Sequence, residues 1–556
     1  MNVHALSDRY IAEFAALDPL TGSYLGIPGH DEDMTDFSPE GYQARGELRA
    51  RTLREIADAP AADDAEELAR EVLQERVGTE LDMHAAGLDE ACVNTINSPI
   101  QEIRITFDLM SSDTAEDWAR IAKRMAKVPF ALAGLGASLS RAVDRGTSTS
   151  ARQLRKIAGQ CDTWAGRTGG EGFFPKFIRG ATDLVSPALA AELEVNAKAA
   201  GEAFADFAEH LRANVAPGAP DRDGVGADTY ALWSRQFLGA RIDLTEAYEW
   251  AWDEFARIEK EMLALAGRIK PGASLTEAAA VLDADPRYLI EGRAEYGRWW
   301  QAANDQALQD LRGVHFDIPD ELMRFEVREA PPGGSIGQYY AAPTDDFSRP
   351  GSTWWIAPAG QTVFPTWRQI SQVYHEGVPG HHLQLGTAVY QAERLNKYQR
   401  LLAFAYGHGE GWALYAEKLM RELGYVSSDG DVFGSLNDEL YRATRVILDI
   451  GMHLELAIPA GTGFHEGEKW TPALALEFFL TRTTVPEPLA RDEVDRYLGW
   501  PAQGTSYKLG ERLWLAAIED ARVRHGEAFD LKDFHMRALE MGSMGLDTLR
   551  VRLAAI

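Results

Sequence analysis

The chain has 556 residues, 45% apolar and 25% charged, a soluble globular composition whose length alone allows for about three or four domain equivalents. A net charge of −29 argues against nucleic acid or anionic membrane as a partner, because both need a basic footprint. Cys92 and Cys161 give no disulfide framework or zinc-ribbon spacing, the first residues lack a signal-peptide pattern, and no apolar run could span a membrane, so a cytoplasmic location is expected.

The first two hundred residues read as successive helices. Residues 61–73 open on acidic side chains and space their apolar ones at three and four. Ser111, Ser112, Asp113 and Thr114 supply N-cap candidates ahead of another amphipathic run. Residues 166–172 form a glycine-rich loop, and residues 214–228 form a second loop whose Pro, Gly and Asp suit turns. The second loop is a soft boundary between an N-terminal helical part, 1–225, and a catalytic helical part, 226–556, expected to form one integrated unit. Helical periodicity resumes at Leu244 and runs through Leu265.

From Glu326 the texture changes. Residues 327–332, 337–343 and 351–358 are short, aromatic and bounded by Gly and Pro, and they predict a small sheet at about 327–360. Pro343 and Pro358 belong at strand ends or on an edge. A strand edge just ahead of the next helix would let an extended peptide pair with it; otherwise the sheet simply caps the helices. Beyond this region the chain is helical to its end, with a proline-rich break at 485–488.

The segment after the sheet is His375-Glu376-Gly377-Val378-Pro379-Gly380-His381-His382. A His-Glu pair followed closely by more histidine marks a metallohydrolase helix, in which imidazoles hold zinc and the glutamate handles a proton of water. His375 and His381 are six apart, about 240° around an ideal helix, and point away from each other. His375 and His382 share a face, but seven residues rise roughly 10 Å, too far for one ion. Pro379 removes an N–H and clashes with the His375 carbonyl, and Gly380 permits unusual backbone angles. A Pro-Gly insertion that swells the helix by two residues would bring His381 alongside His375, with His382 as the alternate. Five of the thirteen histidines fall between positions 375 and 453, whereas the other pair, His465-Glu466, has no second histidine nearby.

The third ligand is expected from the next helix. Glu410 follows Gly407-His408-Gly409 and lies among Gly, Trp, Ala and Leu. Glu417, seven residues on, shares its face and suits the orientation of a ligand histidine through its second nitrogen. Two histidines and a carboxylate leave a coordination position open, which is the catalytic arrangement.

These residues carry a resemblance. The chain resembles the bacterial family catalogued as domain of unknown function 885, whose His-Glu-x-x-Pro-Gly-His-His signature and downstream Glu-Gly-Trp-Ala segment are both present, at His375 and at Glu410. The likeness runs from about 226 to 515 and more weakly into the N-terminal helices. That family is similar to the gluzincins, which bind zinc through two histidines and a glutamate. The Glu-Gly-Trp-Ala segment is similar to the Glu-Gly-Phe-Ala of aminopeptidase N-type enzymes, and Gly380-His381 aligns with the second histidine of thimet oligopeptidase-type helices. The resemblance implies a mainly α, gluzincin-like fold of the thimet oligopeptidase and angiotensin-converting-enzyme kind, with a small sheet beside the active site. It implies a zinc metallopeptidase with Zn2+ on His375, His381 and Glu410, and Glu376 as general base. Asp449-x-Gly451-x-His453 and Pro501-x-Gln503-x-x-x-Tyr507-Lys508-x-Gly510 also match, which makes Tyr507 first and His453 second as oxyanion donor. One segment departs: where the family has aromatic-Val-Asn-Thr, this chain reads Trp355-Ile356-Ala357-Pro358, so the family's substrate contacts there do not carry over.

The expected substrate is a short peptide. A metal-dependent amidase acting on a non-peptide small molecule is the alternative. A catalytically degenerate peptide-binding protein would not need Glu376, and a structural zinc site would call for four ligands including cysteine.

Overall fold

The computed structural model describes residues 1–330, 338–358 and 360–556, which form a mainly α-helical protein. Contacts divide it into two compact units, Met1–Val225 with Leu498–Trp500, and Gly226–Tyr497 with Pro501–Ile556. Among the described residues no helix is long and apolar enough to cross a membrane.

The first unit is a helical assembly whose starts are written in the sequence. Asp63 caps Asp64–Ala85 by accepting from the Glu66 N–H, and Thr114 and Asp117 form a reciprocal capping box at the head of Ala115–Met125. The long helix Pro187–His210 packs on Val128–Arg145 and Ala151–Trp164, and buries Phe204 and Phe207 in a core with Ile103, Phe107, Trp118 and Leu135.

The second unit holds the predicted site. Its framework is α1 (Leu244–Ile269), α2 (Arg293–Leu311), α3 (Ile370–Glu376), α4 (His381–Tyr390), α5 (Tyr406–Glu422), α6 (Asp429–His453) and α7 (Ser506–His525). Helix α1 lies along α6, and α5 along α7. The second pair approaches closely because of glycine: a Cβ on Gly411 would fall 2.4 Å from the Gly510 carbonyl carbon, and one on Gly510 would fall 2.0 Å from the Gly407 oxygen.

The four helices share a buried ionic network. Lys508 of α7, 1% exposed, reaches Glu511 at 2.5 Å, Glu254 of α1 at 3.0 Å and Glu439 of α6 at 3.6 Å, while Arg421 of α5 pairs with Glu439 at 2.6 Å. Burial alone would raise the Glu254 pKa, but the Arg257 hydrogen bond and the Lys508 charge prevail and hold it at about 2, below an ordinary 4.5. A depressed carboxylate stabilises the fold above its unfolded pKa and loses that contribution as pH falls through the folded one. The denaturant midpoint should therefore drop as pH falls from about 4.5 towards 2, with a shallower drop in Glu254→Gln.

The strands are β1 (Leu289–Glu291), β2 (Phe325–Glu329), β3 (Tyr339–Ala341), β4 (Gly351–Trp355) and β5 (Val363–Pro365). β1 pairs antiparallel with β5, Ile290 opposite Phe364. The other three form a sheet in the order β2-β4-β3, with β4 parallel to β2 and antiparallel to β3. β4, the last of the predicted strands, is central and paired on both sides, so the edges of this sheet are β2 and β3, while β5, the strand just ahead of α3, pairs with β1 alone. Gly and Pro punctuation marks where strands end, but not the order in which they pair. Of the predicted strand residues, Pro331, Pro332 and Gly337 lie outside the described residues.

Candidate metal centre

The signature segment does not form one swollen helix. Helix α3 stops at Glu376, the backbone leaves helical angles at Gly377 and Gly380, and α4 starts at His381. The Gly380 N–H donates to Tyr374 O at 3.0 Å, six residues back where a helix would reach four, so the break absorbs the two extra residues. Gly380 is required there, since a Cβ would fall 2.0 Å from the His375 carbonyl oxygen. Two side chains brace the break: Asn304 of α2 accepts from the Val378 N–H at 2.8 Å, and the Trp412 indole of α5 donates to Pro379 O at 3.0 Å.

The result brings His375, His381 and Glu410 together, all buried, with one ligand atom from each lying within 4.8 Å of the others. Glu410 Oε2 lies 3.2 Å from His375 Nε2 and 3.6 Å from His381 Nε2. Bonds of about 2.0–2.1 Å to a tetrahedral zinc separate their donor atoms by about 3.4 Å, so the spacing fits. The tautomers fit too. His375 Nδ1 lies 2.7 Å from Glu417 Oε1 and His381 Nδ1 lies 3.2 Å from Gln384 Oε1. Each Nδ1–H therefore donates outward, and each Nε2 turns a lone pair toward Glu410. Three lone pairs meeting at one point repel unless positive charge lies between them. The same demand appears in the titration: burial disfavours a charged His375, yet Glu410 and Glu417 hold its pKa well above the ordinary value. Burial would raise the Glu410 pKa, but the two histidines hold it well below the usual carboxylate range.

Glu376 ends α3 beside this group, 6% exposed, its pKa raised by burial against the pull of His375 and His381. Tyr507, half-buried at the start of α7, stacks on the His375 ring at 6.3 Å and 22°. The remaining two predicted residues face elsewhere. His382 is fully buried, with Nδ1 3.0 Å from the Tyr340 hydroxyl and Nε2 2.7 Å from Leu322 O, so both nitrogens are engaged away from Glu410. His453 has its Nε2 2.8 Å from Tyr497 O and packs on Tyr230. It stands eleven residues beyond Arg442 on α6, roughly 16 Å along the axis.

Several participants escaped sequence reasoning. Gln384 links His381 to His408, whose Nδ1 is 3.1 Å from Gln384 Nε2, and Arg442 of α6 lies 3.9 Å from Glu417. Glu417→Gln, which weakens the acceptor behind His375, should lower zinc affinity by about 10–100-fold in a chelator-competition titration.

A family model described as "Bacterial protein of unknown function (DUF885)" matches residues 19–553. No curated protein matches the chain. Among solved structures, a proposed lipoprotein from Colwellia psychrerythraea is similar at 23% identity and TM-score 0.85, the match covering 100% of this chain and 98% of that one. A proposed lipoprotein of unknown function from Shewanella oneidensis is similar at 17% identity and TM-score 0.74, covering 99% of each. At these identities the likeness is one of fold.

Proposed function

The chain belongs to the bacterial family DUF885, described as of unknown function, and we propose that it is a zinc-dependent hydrolase of gluzincin type that cleaves short peptides. The observation that carries this reading is the convergence of His375 Nε2, His381 Nε2 and Glu410 Oε2 beside a buried Glu376. His375, His381 and Glu410 would hold the ion, and Glu417 and Gln384 fix the rings that present it. When bound, zinc supplies Lewis acidity that polarises an amide carbonyl and makes a neighbouring water easier to deprotonate. Glu376 takes the proton of the attacking water and returns it to the leaving amine; burial, by raising its pKa, suits it to both transfers. Tyr507, stacked on His375, is the donor for the oxyanion, since the Nε2 of His453 is committed to a backbone carbonyl.

A metal-dependent amidase of non-peptide substrates is the second reading, favoured by the central position of β4, whose own backbone is paired on both sides and so is closed to a peptide. A panel of short peptides and acyl-amides, assayed with the zinc-loaded protein, with chelator and after zinc is restored, separates the two. Metal-dependent turnover of peptides supports the first reading; turnover confined to acyl-amides overturns it in favour of the second.

A further inference from the structure

Burial leaves a guanidinium on the wall of this centre without the partners its chemistry calls for. Asp438, Tyr441, Arg442 and Arg445 follow the i, i+3, i+4, i+7 spacing of one face of α6. Arg442 is 5% exposed, yet its buried Nε has no hydrogen-bond partner among the described residues. Its nearest anions are Asp438 Oδ1, 3.4 Å from Nη1, and Glu417 Oε1, 3.9 Å from Nη2, and Glu417 already serves His375. Arg445, 6% exposed, is clamped between the Tyr441 and Tyr507 rings at 4.4 and 4.7 Å. It shares its nearest carboxylate, Glu493, with Arg496. A buried guanidinium is costly unless an anion meets its N–H groups, and its planar fork matches the two oxygens of a carboxylate.

Its position relates this unmet demand to the reaction. Glu417 Oε1 is 2.7 Å from His375 Nδ1 and 3.9 Å from Arg442 Nη2, so the guanidinium edge lies within about 7 Å of the His375 ring. Tyr507 bridges the same gap, 6.3 Å from that ring and 5.8 Å from the Arg442 guanidinium. Successive backbone units are about 3.8 Å apart, so a substrate group near Arg442 would lie a residue or more beyond an amide held at the converging nitrogens. We propose that Arg442, backed by Arg445 and Tyr507, binds a substrate carboxylate next to the scissile amide, so that the substrates of this site are acids carrying that group on the leaving side. The word scissile rests on the hydrolase reading; the carboxylate rests on the geometry of α6.

The test uses binding, so turnover is not required. Zinc-loaded Glu376→Gln protein is titrated calorimetrically with N-acetyl-Ala-Phe, its C-terminal amide, and the pair N-acetyl-Ala-Glu-amide and N-acetyl-Ala-Gln-amide. The free acid should bind roughly tenfold or more tightly than its amide, as loss of a charge-assisted pair implies. That preference should shrink to within about twofold when Arg442→Gln is added, with zinc content and circular dichroism unchanged. Preference for the Glu-amide over the Gln-amide in place of a terminal preference would assign the same pocket to an acidic side chain. Equal binding within both pairs overturns the proposal, and the parent protein alone decides this if Arg442→Gln does not fold. Elemental analysis keeps the two readings apart. Stoichiometric zinc without an acid preference removes the anchor and spares the hydrolase, whereas an acid preference without zinc does the reverse.

Discussion

Replacing Glu376 by glutamine should lower turnover by about 10²–10⁴-fold while zinc stays bound. Glutamine keeps the shape of the side chain but cannot accept a proton from water. The residue is joined to the fold through its backbone, whose carbonyl accepts from Thr353 Oγ1 at 3.2 Å, so the exchange should leave the melting temperature nearly unchanged. The pair of measurements, turnover on the peptide panel and zinc by elemental analysis, distinguishes loss of a base from loss of a site. Turnover within a fewfold of wild type would move the base to another residue and remove the mechanism given above.

The zinc stoichiometry of two adjacent histidine variants should differ sharply. His381→Ala removes one of three converging donors and should take bound zinc from one per chain to less than about a tenth. His382→Ala should keep its zinc and lose stability. It deletes a fully buried ring that contacts the Tyr340 hydroxyl and Leu322 O, and the change should cost about 2–4 kcal/mol, read as a lower denaturation midpoint. Zinc lost from His382→Ala but retained in His381→Ala would reverse the assignment made from the broken helix.

How much of this was legible in the sequence varied with the physics involved. Helix starts at Asp63 and Thr114 were readable because capping is a local matter of one side chain and a nearby N–H. The pairing of His375 with His381 was readable as a problem of spacing: six residues on a straight helix fail, and Pro379-Gly380 offered a way out. The form of that way out, two helices braced by Asn304 and Trp412, depends on residues 74 and 33 positions away and left no local mark. The role of α6 was invisible for a similar reason. A stripe of Asp, Tyr, Arg and Arg at helical spacing reads as a solvated face, and only the packing of neighbouring helices, α1, α3, α5 and α7, against α6 buries its two arginines. For His453 the matched motif establishes that the residue is present, whereas the Tyr497 carbonyl that holds its Nε2 lies 44 positions away.

The glycine contact between α5 and α7 has a mechanical meaning. Glu410 immediately precedes Gly411, and Tyr507 lies three residues before Gly510, so the proposed ligand and the proposed oxyanion donor flank one backbone-to-backbone junction. Side chains can be repacked at a sliding interface, but two main chains in direct contact leave no slack. Glu410 and Tyr507 therefore sit like two teeth cut from a single piece, their spacing set by main chain and not by side chains that a substitution could repack.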